Sequence, residues 1–475
     1  MKPVNRILRT AVATLVVALT GCAVGPDYER PAVPTPQSLT VPPGWKVAEP
    51  HDAEIPADWW KMFNDPVLAG YEQKVAQSNQ TLAQREAALR QARALVQIAQ
   101  AGLFPTLNAA AGTTRNRASA GAIGLAQGKI YDNYLLAAQA SWEPDLWGSV
   151  RRSIEANTAS MQASAGQLAA SRLSLQSQLA VDYFQLRADD AQKKLLTDTV
   201  DAYQKFLDLT RHRFDQGVAA QTDVLQAEGQ LRSTEALLLD VGIQRAQLEH
   251  AIAVLTGTPT SEFHIPESPL GTDIPHIPLT VPSVLLERRP DVASAERSAA
   301  AASAQIGVAK AAFFPALSIN GALGFQNSAY NNLVNQPNSM WSLSPQLLLP
   351  IFNAGLLAAG VDQAVAGYDQ SVANYREVVL EAFQNVEDNL VAAAILAHEI
   401  TVQDEAVRAA RSTLTLTDSQ YREGIVNYLN VIVAQTTLLT NELTELNLRS
   451  RQYVASVQLV VALGGGWDPR ELAAE

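Results

Sequence analysis

The chain is nearly without cysteine. One residue of 475, Cys22, carries a thiol, which excludes a disulfide framework and any cysteine-built metal site. Histidine is almost as scarce. His51, His212, His250, His264, His276 and His398 lie far apart, with no His-x-x-x-His pair of the kind a zinc helix uses. No Gly-x-Ser-x-Gly elbow and no phosphate loop occurs. Gly464-Gly465-Gly466 follows a helical stretch rather than a strand, so it reads as a helix C-cap and chain exit. Arg288-Arg289 reads as the ion-paired start of a helix, with Asp291 or Glu287 as partner, rather than as an anion site. Nothing here assembles a catalytic group, a cofactor site or a metal site. Beyond the N-terminus no apolar run reaches the ~18 residues of a transmembrane helix.

The N-terminus is where the sequence is explicit. Lys2, Arg6 and Arg9 precede a short apolar core at 11–19, which ends in Leu19-Thr20-Gly21-Cys22. This resembles a bacterial lipobox, so residues 1–21 read as a signal peptide cut before Cys22. The cysteine would then carry a thioether-linked diacylglycerol and an N-acyl chain. At ~0.8 kcal/mol per buried CH₂, that exceeds the two-signal requirement for stable anchoring. Ala23, where an aspartate would suggest inner-membrane retention, favours the outer membrane. Removing the signal takes the basic residues from 35 to 32 against 47 acidic, a net charge of −15. That balance argues against nucleic acid as a partner. Prolines through 26–43 suggest an extended strap.

The remainder is a duplicate. Arg213-Phe214-Asp215-Gln216-Gly217-Val218 recurs as Gln420-Tyr421-Arg422-Glu423-Gly424-Ile425, with Gly217 and Gly424 207 residues apart. The same offset pairs Leu231 with Leu438 and Gly257 with Gly464. Upstream, the segment ending Leu103-Phe104-Pro105 matches the one ending Phe313-Phe314-Pro315. Each half has one order: helix, Phe-Pro break, strand hairpin, very long helix, glycine turn, long helix.

Residues 148–215 contain no proline, and neither do 355–423. A helix of that length reaches on the order of 100 Å. In the second, Val361, Val365, Tyr368, Val372, Tyr375, Val379, Ala382 and Val386 step by four and three, a heptad stripe that asks for coiled-coil-like packing. Ile154, Met161, Leu168 and Leu175 keep the period more weakly in the first. The hairpins differ. Leu317, Ile319, Leu323 and Phe325 alternate with Ser318, Asn320, Ala322 and Gln326, and Trp341, Leu343, Leu347 and Leu349 with Ser342, Ser344 and Gln346. Such period-two runs suit transmembrane strands of ~9–11 residues. The counterpart strands at 106–117 and 130–142 alternate less cleanly. Four strands cannot close a barrel, small membrane barrels begin at about eight, and lipid does not tolerate open sheet edges. Copies of the chain must pool strands, and three copies give twelve.

Several motifs in this order carry a family resemblance across essentially the whole mature chain. They are Trp59-Trp60 with Phe63 and Asp65-Pro66-Val67-Leu68; Trp142-Glu143-Pro144-Asp145-Leu146-Trp147-Gly148; Leu285-Leu286-Glu287-Arg288-Arg289-Pro290-Asp291-Val292 followed by Ala295-Glu296; Ile306-Gly307 with Ala309; Phe314-Pro315; and Leu349-Pro350-Ile351-Phe352-Asn353-Ala354-Gly355. The chain resembles the TolC/OprM-like outer-membrane efflux channel lipoproteins, in their NodT-type branch. The resemblance implies a mainly α protein with β-hairpins, the duplicated protomer of a homotrimer. Twelve helices would form a periplasmic α-barrel with a mixed equatorial collar, beneath a twelve-stranded transmembrane β-barrel. It also implies a periplasmic adaptor and an inner-membrane RND pump as partners. The duct itself conducts passively and is no enzyme. Residues 22–66 would be an N-terminal extended and collar segment, and 67–257 the first repeat, with its hairpin at about 105–143 and helix pair at 148–257. Residues 258–282 would be a collar linker, and 283–463 the second repeat, with hairpin 315–350 and helix pair 355–463. A tail at 464–475 follows.

The resemblance places the Gly217 and Gly424 turns at a periplasmic tip. The family often has an aspartate four residues past the leucine of a Tyr-Leu pair. Here Tyr428-Leu429-Asn430 leads to Val433 instead. The expected gate is therefore Tyr428, Leu429, Asn430 and Val433, closing by apolar and amide contacts, with Asp223 as the remaining acid. Another class of protein has long paired helices too: a periplasmic adaptor or structural coiled-coil lipoprotein. It would carry flanking β-modules around one helical hairpin, not two copies of strand hairpin plus helix pair.

Overall fold

A computed structural model describes residues 23–33, 55–117, 119, 128–271, 274–275, 277, 288–468 and 470. Cys22, the rest of the strap to 43, and Leu285-Leu286-Glu287 lie outside them. The helices are α1 (Pro66–Ser78), α2 (Gln80–Ala101), α3 (Ser149–Asp215), α4 (Gln221–Leu255), α5 (Pro290–Ala311), α6 (Leu356–Arg422) and α7 (Tyr428–Ala462). The strands are β1 (Thr106–Arg117), β2 (Ile130–Trp142), β3 (Ala316–Asn327) and β4 (Ser339–Leu348). The duplication is exact to the residue in the helix pairs. Both α3 and α6 have 67 residues, both α4 and α7 have 35, and every boundary is offset by 207. Two strand hairpins, each followed by a helix pair, are the arrangement that separates a channel protomer from an adaptor.

The repeats are not the compact units. One unit takes in Ala88–Ser164 and Ser294–Tyr375 with the N-terminal strap to Ala32; the other takes in Ala165–Ala293 and Arg376–Glu475 with the segment up to Ala87. Both repeats contribute to both units, because a 67-residue helix, about 100 Å long, outreaches any single core.

The first unit contains one antiparallel sheet in the order β1-β2-β3-β4. Its register puts like on like. Leu317 faces Leu347, Gly321 faces Leu343 and Leu323 faces Trp341, while Asn320 faces Ser344 and Ala322 faces Ser342. β2 continues both sets, with Trp142 opposite Ile319 and Ser141 opposite Asn320; the Ser141 hydroxyl donates to Asn320 Oδ1 at 2.9 Å. Gly324 is required where β3 passes β2, since a Cβ there would lie 2.5 Å from Ala137 Cα. The helices of this unit approach through small side chains. Ala159, Ala300 and Ala301 form one buried cluster with Tyr28 against it, and Ser294 Oγ donates to Ala163 O at 2.8 Å. This modifies the heptad expectation for α3. Ile154, Met161, Leu168 and Leu175 are only half-buried, and within this unit the buried ridge of α3 is Ala156, Ala159 and Ala163. The α6 stripe is buried from Val372 through Tyr375, Val379, Ala382 and Val386, as a heptad seam should be.

The second unit is organised by an aromatic cluster at Trp59, Trp60 and Phe63. Phe63 packs on Phe184 at 5.0 Å, and Phe184 stacks on Tyr453 at 4.6 Å. Asp65 caps α1 by accepting from Val67 N and Leu68 N, with Pro66 at the first helical position. Tyr183 donates to the other oxygen of the same carboxylate at 2.6 Å. Asn79 separates α1 from α2 by accepting from Thr81 N and Leu82 N. Arg289 pairs with Asp291 through two bonds, at 3.1 and 2.7 Å, and donates to Ala462 O at 3.1 Å. Gly464 and Gly465 close α7 by a Schellman pattern, with Gly465 N donating to Val460 O and Gly464 N to Val461 O.

Candidate functional site

The sheet has the chemistry of a membrane wall. Trp341, Leu343, Leu347 and Leu323 share a face, each more than 60% exposed on the single chain. Asn108, Gln139, Asn320, Ser342, Ser344 and Gln346 occupy the opposite face. Such two-sided alternation fits lipid on one side and water on the other. Phe104, Ile351 and Phe352, all beyond the strand ends, are also exposed. β1 and β4 each have one ladder partner among the described residues, so both sheet edges are open. No described helix is long and apolar enough to cross a membrane, a statement that does not bear on strands.

The Gly217 and Gly424 turns belong to the second unit and are built alike. Gly217 has φ 75° and Gly424 φ 78°, a left-handed conformation glycine adopts without steric cost. Val218 N donates to Arg213 O and Gly217 N to Phe214 O; Ile425 N donates to Gln420 O and Gly424 N to Tyr421 O. These are two Schellman caps in equivalent positions. The turns are joined by Arg213. It donates to Tyr421 O at 2.9 Å, and its guanidinium lies 4.6 Å from the Tyr421 ring centroid. Beneath them Tyr203, Leu207, Leu231, Tyr421, Tyr428 and Val431 form a buried core.

The expected gate residues separate into two groups. Tyr428 is 1% exposed and packs against Tyr421 at 5.5 Å, so it is a packing residue of the core beneath the two turns and presents no surface. Burial, with Tyr421 and Tyr203 nearby, raises its phenol above the ordinary range. Leu429 and Val433 are 52% and 58% exposed, one turn apart on α7. Val433 and Asn430 line a groove of about 440 Å³ together with Thr413, Thr417 and Gln420 of α6. Asn427 caps α7 by accepting from Asn430 N at 3.3 Å. Asp223 is half-buried, and its carboxylate accepts from Ala220 N at 3.3 Å, so it caps α4 rather than standing free.

Two features gave no sequence signal. Asp190 on α3 accepts from Arg187 at 3.0 Å, Arg245 Nε at 2.6 Å and Ser268 N at 3.1 Å. Arg245 also donates to Ile265 O and Arg187 to Pro266 O. This buried knot fastens the segment after α4 onto the helices, although its members are spread along the chain. The second is Glu72. It is fully buried, neither oxygen has a hydrogen-bond partner among the described residues, and burial pushes its carboxyl up to about 9. No group of three or more His, Cys, Asp or Glu able to hold a metal occurs among the described residues.

The family model described as outer membrane efflux protein matches residues 72–258 and 281–465. The two segments fall on the two repeats. The toluene efflux pump outer membrane protein TtgF of Pseudomonas putida is 30% identical over 468 residues, 96% of each chain. The pyoverdine export outer membrane protein OpmQ of Pseudomonas aeruginosa is 31% identical over 444 residues, 92% of this chain and 93% of that one. The solved outer-membrane channel OprN superposes with a TM-score of 0.87 at 28% identity, over 94% of this chain and 100% of that one.

Proposed function

The chain belongs to the outer membrane efflux protein family, and from that premise we propose that it is the exit duct of a tripartite RND-type efflux system. It conducts drugs or other small toxic solutes passively from pump and periplasm to the exterior, and the pump supplies the energy. The observation that carries this reading is the sheet. Four strands with one apolar face, one polar face and two open edges make sense in a bilayer only when copies complete a closed wall. Three chains contribute twelve strands, an even number within the range of membrane barrels.

The assembled duct is a homotrimer in the outer membrane, held additionally by acyl chains on Cys22 and contacted from below by a periplasmic adaptor. Toluene and pyoverdine, named for two of the relatives, set the kind of small-molecule cargo to test. The exposed pair Leu429 and Val433 supports an apolar tip gate, since an apolar constriction resists ions by dewetting without a charge ring.

Deleting the gene should sensitise cells to such solutes, and the wild-type gene should restore resistance. Cross-linking in membranes should end at three subunits. A stable monomer with all four strands in a bilayer, or a ladder ending at two or four, would contradict the duct reading. Cys22→Ser should abolish incorporation of labelled palmitate while leaving the fold intact. Persistent incorporation would remove the lipoprotein assignment alone.

A further inference from the structure

We infer that a groove at the foot of the sheet seats one acyl chain of the lipid on Cys22, an inference that rests on the lipoprotein reading above. The strap after the cysteine is pinned to the body. Val24 N donates to Trp147 O at 3.0 Å. Gly148, at φ 80°, lies so close that a Cβ on it would be 2.7 Å from Ala23 Cα. The Arg152 side chain, 6% exposed, donates to Val24 O at 3.3 Å and pairs with Asp27 at 2.8 Å. Gly25 passes Gly307 so tightly that a Cβ on it would lie 2.5 Å from Gly307 Cα. Tyr28 donates to Glu296 Oε1 at 2.7 Å, and Arg30 to the Tyr375 hydroxyl at 3.1 Å. Ala23, the residue that follows Cys22 in the sequence, is therefore fixed in place.

Beside that fixed point is a groove of about 410 Å³, within the roughly 300–1,000 Å³ of small-ligand sites. Leu146, Trp147, Val150, Phe314, Leu317 and Leu348 line it. Trp147 belongs to both features. Its carbonyl holds Val24, while its ring stacks on Phe314 at 4.8 Å and its Nε1 donates to Pro315 O at 2.8 Å. The groove lies where β2 and β4 end and β3 begins.

The tethered lipid is favoured over a free phospholipid on two counts. A chain attached one residue from the groove has an effective local concentration on the order of millimolar or more. The charged residues on the lining are Glu143 and Asp145. Asp145 is paired with Arg151 at 3.2 Å, and no lining residue is a cation that would hold a phosphate headgroup, whereas the thioether-linked diacylglycerol carries no charge. Lipid tails are as apolar as the lining, so what the seat adds is position: it converts a loose tether into a fixed one.

The test uses the full-length protein in cells fed a palmitate analogue bearing a diazirine and an alkyne, with irradiation before purification and peptide mapping. The lipid on the Cys22 peptide should be joined to residues 146–150 or 311–317 of the same chain. Filling the groove by Ala312→Trp, at an exposed lining position, should reduce that product several-fold without changing trimer yield or label on Cys22. Three outcomes overturn the seat while leaving the anchor intact: label on Cys22 joined only to phospholipid or to a neighbouring chain, an unchanged product in Ala312→Trp, or equal labelling of the groove in Cys22→Ser, which would make it a general phospholipid site. Absence of label on Cys22 instead overturns the lipoprotein reading itself.

Discussion

Replacing Glu72 tests whether this protein carries an uncompensated carboxyl in its interior. On α1, Leu68, Glu72 and Val75 form the buried stripe, all at 0% exposure, so an acid occupies the middle of an apolar contact. Both its oxygens lack partners among the described residues, and desolvation alone raises its pKa from the model-peptide 4.5 to about 9. The folded chain thus holds a proton that the unfolded chain releases near pH 4.5. Its contribution is fully favourable below that pH and falls by ~1.4 kcal/mol per pH unit as pH rises. The fall ends near pH 9, where the folded state ionises as well. At pH 7 the loss relative to pH 4 is roughly 3 kcal/mol per chain. Glu72→Gln should flatten this dependence, and Glu72→Met should also raise stability at pH 7 by a few kcal/mol. The assay is denaturant unfolding from pH 5 to 9, read as the difference between wild type and Glu72→Gln. That difference cancels Asp189, which burial and Asp190 push up to about 6, and Asp182, which burial also raises. A Glu72→Gln profile parallel to wild type would refute the reasoning.

Arg245→Met leaves Asp190 buried with one guanidinium fewer and should cost ~3–5 kcal/mol, with earlier proteolysis within 258–271; cutting rates equal to wild type would contradict it. Gly424→Ala meets no atom within 4 Å, so it should cost only the ~1–2 kcal/mol of left-handed backbone. Gly464→Ala would collide with the Arg288 carbonyl and should fail to accumulate; equal yields of the two variants would argue against the distinction. Leu429→Ala should raise basal conductance in planar bilayers, and Val433→Asp should introduce cation selectivity and divalent block. Wild-type recordings from Leu429→Ala would end the apolar-gate proposal.

The sequence was most legible where a local rule sufficed. Gly217 and Gly424 announced their turns because a Schellman cap needs a left-handed residue at one position. The second hairpin showed its two faces because Leu323 and Trp341 stand opposite each other in register. The α3 seam was less legible because alanine is ambiguous. Ala156, Ala159 and Ala163 bury fully by letting helices approach, while the larger Ile154 and Met161 drew attention by size. Tyr428 was grouped with Leu429 by adjacency, yet neighbours on a helix point about 100° apart, which put one in the core and the other on the surface. The Asp190 knot joins positions up to 79 apart in sequence, and Glu72 is an acid on an apolar face. Neither has a pattern that a single sequence reveals.

The two open edges have a genetic consequence. Because the strand count is even and every neighbour is antiparallel, β4 of one chain can continue onto β1 of the next without a change of pattern. Every chain then supplies half of two seams, and the wall closes only if all seams hold. A variant that folds normally but spoils β1 would therefore poison the wild-type chains it joins. With equal amounts of the two mixing at random, about one ring in eight would be wholly wild type. Resistance would be lost dominantly, although a wild-type gene remained in the cell.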